Sequence, residues 1–85
     1  MEPLNISTVQ PIVFSKRETE VLKLIAQGKT SKEIAVELLL SIETIESHRK
    51  RMIKKVQTKN VYGVMAYGFF AGILKPEDVG LSNVQ

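Results

Sequence analysis

The chain has 85 residues, no cysteine and a net charge of +3. That length allows one domain burying about 60% of its unfolded surface, and the missing cysteines exclude disulfides, thiolate metal sites and thiol nucleophiles. The charge is uneven: residues 41–60 carry six bases and two acids, the other sixty-five carry six bases and seven acids, so one short segment is matched to an anionic partner.

Residues 1–13 hold two prolines and no helical period, and are expected as an extended lead-in or linker. No Lys or Arg occurs in the first fifteen residues, so no secretory signal is expected. Ser15-Lys16-Arg17-Glu18 then reads as a capping box, in which the serine accepts from the Glu18 amide and Glu18 reaches back. The spacing predicts a helix from Lys16 to about Gln27 with Val21, Leu22 and Ile25 on one face, stopped by Gly28 in the left-handed conformation. Thr30-Ser31-Lys32-Glu33 repeats the device and opens a second helix with Ile34, Ala35 and Leu38 inward. Leu39 and Leu40 make a short apolar turn, and Ser41 caps a third helix.

The third helix, with the run SIETIESHRKRMIKKV, has an inward stripe of Ile45, His48, Met52 and Val56 and an outward face of Glu43, Ser47, Lys50 and Lys54. Two helices joined by a tight turn, the second carrying the charge, make a helix-turn-helix, whose second helix enters the DNA major groove. Ser47 and Lys50 are the expected base-edge contacts on geometric grounds, Lys50 as a donor to guanine. Arg51, Lys54 and Lys55 are expected at phosphates. His48 has no partners at metal-ligand spacing and is expected to be packed and hydrogen-bonded.

A fourth helix is expected after Asn60 and before Pro76. Its run from Val61 to Leu74 is fourteen residues long, shorter than the roughly 20 a membrane span needs, and apolar nearly all round. Such a helix is buried on two sides: Val64, Tyr67, Gly68 and Ala71 toward the domain, and Tyr62, Met65, Ala66, Phe69 and Ile73 toward a second copy. Residues 75–85 are expected as a flexible tail. No catalytic set and no metal or cofactor site is discernible, so an enzyme is not expected.

From Phe14 to about Gly68 the chain resembles the LuxR/GerE-type bacterial DNA-binding domain. The resemblance is carried by FSKRETEVLKLIAQGKTSKEIA, LLLS and ETIESHRKRMIKKV. It implies an all-α, compact four-helix bundle containing a helix-turn-helix, winged-helix-like without a wing, over residues 14–74. It further implies a dimeric, sequence-specific regulator of transcription that binds double-stranded DNA, as at the end of two-component response regulators and quorum-sensing regulators. The family's base-contacting positions fall on Glu46, Ser47 and Lys50. The full phosphate set is Thr30, Lys32, Thr44, Arg51, Lys54 and Lys55, and the homodimer face is Tyr62, Met65, Ala66 and Phe69. A soluble, cytoplasmic protein with no membrane partner is expected, with RNA polymerase as a further candidate partner. Two other readings remain open: a helical protein-interaction module, and a sigma-factor-like promoter-reading domain. Several positions depart from the family pattern. Ile45 replaces a commoner valine, Val56 a leucine and Val61 a frequent arginine. Gln57 stands where a glycine often ends the third helix, so that helix is expected to run on or end less cleanly. Glu46 is acidic where a basic or amide side chain is common.

Overall fold

The computed structural model describes residues 12–79. Four helices follow one another, α1 (Lys16–Ala26), α2 (Ser31–Leu38), α3 (Ile42–Val56) and α4 (Val61–Phe70), and a short 3-10 turn (Pro76–Val79) closes the described chain. There is no strand among the described residues, so the all-α expectation holds. None of the helices is long and apolar enough to cross a membrane.

Every helix starts on a polar side chain. Ser15, Thr30, Ser41 and Asn60 each accept from amides in the first turn, satisfying donors that would otherwise have no intrahelical partner. Both expected capping boxes are present: the Ser15 and Thr30 amides donate to Glu18 and Glu33 at 2.8 Å. The bond from the Thr30 amide, with the Thr30 side chain, holds the Glu33 carboxyl below its usual range.

Every helix also ends alike. Gly28, Leu39, Gln57 and Gly72 have φ of 90°, 58°, 62° and 78°. The amide after each one donates to a carbonyl five residues back: Lys29 to Leu24, Leu40 to Ala35, Thr58 to Ile53 and Ile73 to Gly68, at 2.8–3.2 Å. This is the Schellman arrangement. The expected blurred end of α3 is therefore corrected: the helix stops at Val56 because Gln57 adopts the left-handed geometry that glycine would take without strain. Leu39 does the same while 90% exposed.

The core is drawn from all four helices and from Leu74 beyond the last. Val21, Leu22, Ile34, Ile45, Met52 and Val64 are fully buried; the seven-residue step from Ile45 to Met52 is two turns, which puts both on the inner face of α3. α3 packs against each of the other three helices. In α4 the inner face is Val61, Val64 and Gly68, with Tyr67 half-buried. Ala71 is exposed and Ile73 packs on the core, the reverse of expectation. The reason is that α4 stops at Phe70 and Gly72 reverses the chain, so the helical period does not extend to these positions. At Gly68 an added Cβ would lie 2.9 Å from Leu74 and 3.3 Å from Leu22, so that close approach depends on glycine.

Among the described residues, one charged side chain enters the core. Glu18, only 2% exposed, accepts from the Ser15 amide and from Lys55 Nζ at 2.6 Å. Lys55 also donates to the Val13 carbonyl at 2.9 Å and lies 5.9 Å from the Phe14 ring centroid. Phe14 in turn meets Tyr67 of α4 edge-on, at 6.1 Å between centroids. The segment before α1, the start of α1, the end of α3 and α4 thus meet at one point. Burial alone would raise the Glu18 carboxyl, but the Lys55 hydrogen bond, the Ser15 amide and the Lys55 charge together outweigh it and hold Glu18 below its usual range. The expected lead-in and tail contribute too: Val13 through its carbonyl, and Val79 by packing against the core. Residues 1–11 and 80–85 of those segments lie outside the described residues.

Two outcomes follow from these contacts. Gln57→Gly and Leu39→Gly should each raise the free energy of unfolding by about 0.5–1 kcal/mol by relieving left-handed strain, read from urea midpoints; Ala at either position should not. Glu18→Gln should lower stability at pH 7 by about 1–3 kcal/mol. Because the folded pKa is depressed, that difference is fully present above the ordinary carboxylate value of about 4.3 and shrinks as pH falls through the lowered value. Unfolding at pH 7 and pH 3 measures it.

Candidate nucleic-acid interface

The outward face of α3 is set by the burial of Ile45 and Met52 on the opposite side. With these two inward, Glu43, Ser47, Lys50, Arg51 and Lys54 are exposed. The face thus offers a small hydroxyl and three cations with no acid beyond position 46. Glu43 sits in the first turn of α3, where the helix dipole favours a carboxylate. Ser41 holds that end by accepting from the Thr44 amide at 3.0 Å, and the Ser41 and Thr44 hydroxyls lie 2.9 Å apart.

Two of the helix's bases also meet acids of the chain. Lys55, expected at phosphates, is exposed and at the same time bonded to Glu18 and to the Val13 carbonyl. Arg49 has its Nε 3.8 Å from Glu46 Oε2. Glu46, expected at a base edge, accepts the Ser31 hydroxyl at the start of α2, so its carboxylate is engaged between helices. Two long-range contacts escaped the sequence reading here, Ser31–Glu46 and Glu18–Lys55; no periodicity or motif signals them.

The Ser31–Glu46 bond also locates the start of α2 beside the second turn of α3. Thr30 and Lys32 flank Ser31 in the chain, as Ser47 follows Glu46. Lys32 is exposed. Thr30 accepts from the Glu33 amide at 3.1 Å, a bond that does not use its own hydroxyl proton. A helix N-terminus with a hydroxyl and a lysine beside a basic helix is suited to backbone phosphates. His48 is half-buried, in keeping with the inward stripe, and its buried Nδ1 has no hydrogen-bond partner among the described residues.

A second exposed surface lies on α4. Tyr62 and Phe70 are 75% and 88% exposed, Phe69 and Ala66 are exposed, and Met65 is half-buried. Four of these five were expected on that face; Phe70 extends it. No group of three or more potential metal-binding side chains occurs among the described residues.

A family model described as bacterial regulatory proteins of the luxR family matches residues 12–67. The regulatory protein SdiA of Escherichia coli strain K12 is 44% identical over 61 residues, covering 72% of this chain and 25% of SdiA. The oxygen regulatory protein NreC of Staphylococcus carnosus is 40% identical over 62 residues, covering 72% of this chain and 29% of NreC. A crystal structure of Escherichia coli SdiA superposes with a TM-score of 0.71 at 41% identity, covering 85% of this chain and 31% of that one. The chain therefore spans about a quarter to a third of the length of these relatives. Both are regulatory proteins by name, which points away from an enzyme.

Proposed function

The chain belongs to the luxR family of bacterial regulatory proteins, and we propose that its DNA-binding domain reads a specific duplex site as a homodimer, with α3 in the major groove. The observation that carries this is the composition of the α3 outer face. Ser47, Lys50, Arg51 and Lys54 are exposed together behind a buried Ile45–Met52 stripe. Ser47 and Lys50 read base edges, Lys50 donating to guanine O6 or N7. Thr30, Lys32, Thr44, Arg51 and Lys54 hold phosphates and supply the salt-dependent affinity.

The dimer forms through Tyr62, Met65, Ala66 and Phe69, extended by Phe70. An apolar surface with two aromatic rings this exposed is unusual on a monomer and is covered when two copies of α4 meet. This pairing presents two recognition helices to two half-sites. It also accounts for the feature that would otherwise favour a protein-interaction module. In the same reading the domain is the output part of a longer regulator, such as a two-component response regulator, working in the cytoplasm beside RNA polymerase. In SdiA and NreC, both regulatory proteins by name, the matched segment is about a quarter of the chain, which supports an output role for the domain.

A preferred site selected from a random duplex pool allows the test. Binding should weaken steeply with salt. Lys50→Ala with Lys54→Ala should reduce the slope of log Kd against log salt by about 0.9 for each phosphate no longer neutralised. Lys50→Ala alone should also cost about 1–3 kcal/mol at one base pair. Affinity indifferent to salt or to both substitutions would sink the DNA reading. For the dimer, Tyr62→Asp with Phe70→Asp should leave a folded monomer by sedimentation equilibrium; an unchanged mass would place the interface elsewhere.

A further inference from the structure

Glu46 puts a negative charge where the proposed partner is a polyanion, and its contacts give it other work. Its Oε2 accepts the hydroxyl of Ser31, fifteen residues earlier in the chain, and lies 3.8 Å from Arg49 Nε. Ser31 is the first residue of α2, and the positive end of that helix's dipole favours a carboxylate there.

The placement has a geometric consequence. α2 and α3 are already joined by the turn at residues 39–41, so one end of α2 is fixed to the start of α3. Eight residues of α2 span about 12 Å, and Glu46 lies about 6 Å along α3 from its first residue. A bond from the far end of α2 to Glu46 therefore closes a triangle whose third corner is the turn. Burial of Ile34, Ala35 and Ile45 in one core already limits the range of angles between the two helices, and the strut selects within that range.

We propose that Glu46 is a positioning residue and not a base reader. It is the strut that sets the angle of the helix-turn-helix. Thr30 and Lys32 at the start of α2 thereby reach the backbone while Ser47 and Lys50 on α3 reach base edges. This rests on the DNA reading given above. What the strut requires at position 46 is a hydrogen-bond acceptor that reaches Ser31; the negative charge is not essential. Ser31 holds Oε2, so a cytosine amine could be accepted only by Oε1, whose direction is set by the bond to α2 and not by a base. The ion pair with Arg49 is a long i,i+3 contact on a partly exposed face and contributes little by comparison.

The full 85-residue chain carries the test, as wild type, Ser31→Ala, Glu46→Ala, the double variant and Glu46→Gln. Two quantities are measured: urea unfolding without DNA, and Kd on a selected site and its single-base variants. Ser31→Ala and Glu46→Ala should each raise Kd about tenfold on all sites alike, with the order of site preference unchanged. The double variant should be no worse than either single, in both measurements, and Glu46→Gln should recover most of the loss. A changed base preference in Glu46→Ala that Ser31→Ala does not share overturns the proposal in favour of direct reading. Additive effects of the two substitutions overturn it as well. If the wild type selects no DNA sequence, the DNA reading itself fails and the strut's role in it is overturned. Unfolding then still decides the bond: coupled losses keep the tie between helices, and additive ones remove it.

Discussion

A helix can be turned back on its neighbour only if its last carbonyls find donors, and this chain meets that constraint four times with one device. Each reversal places a single residue in the left-handed region and bonds the next amide five residues back. The helices can therefore be joined by links of only a few residues, and sixty-eight described residues suffice for a closed core. A domain this small has only a modest margin of stability. Two of the four reversals nevertheless use residues with a side chain, Leu39 and Gln57, each at a cost of about 1 kcal/mol. The geometry of the ends is held by packing, since Ile45 and Met52 fix where α3 lies and the turns on either side must conform.

What was legible in the sequence is local in chain distance. A serine or threonine three residues before a glutamate declares a helix start because donor and acceptor lie within one turn, and all four starts were readable. The inner stripes of α2 and α3 followed from helical spacing, although Ile53 joined the core unannounced. What was illegible is non-local. Nothing near Glu18 says that it will be buried against a lysine thirty-seven residues away, and nothing near Glu46 points to Ser31. At Gln57 the residue type argued for a helix that runs on, and tertiary packing overrode it. In α4 the apolar run outlasts the helix, so periodicity misplaced Ala71 and Ile73 once the backbone had turned at Gly72.

The acids around α3 are better understood as partners of its bases and of α2 than as opponents of DNA. Glu18 holds Lys55, and Glu46 lies beside Arg49 while accepting from Ser31. Of the five cations on α3, Lys55 ties the helix to α1, Arg49 pairs loosely within the helix, and three remain outward. Lys50, Arg51 and Lys54 are the outward set, so the charge that DNA would meet is smaller than the composition suggests and more narrowly aimed.

The tie between Lys55 and the Val13 carbonyl bears on where the folding unit starts. Helical pattern places its edge at Phe14, but cutting there replaces an amide carbonyl with the terminus of a new chain and strips α3 of one anchor. In a fusion, any residue joined at position 13 restores the carbonyl, so what a chimera has to keep is the backbone path that presents it to Lys55. A foreign domain that pulls this segment aside would unite two intact folds yet loosen α3.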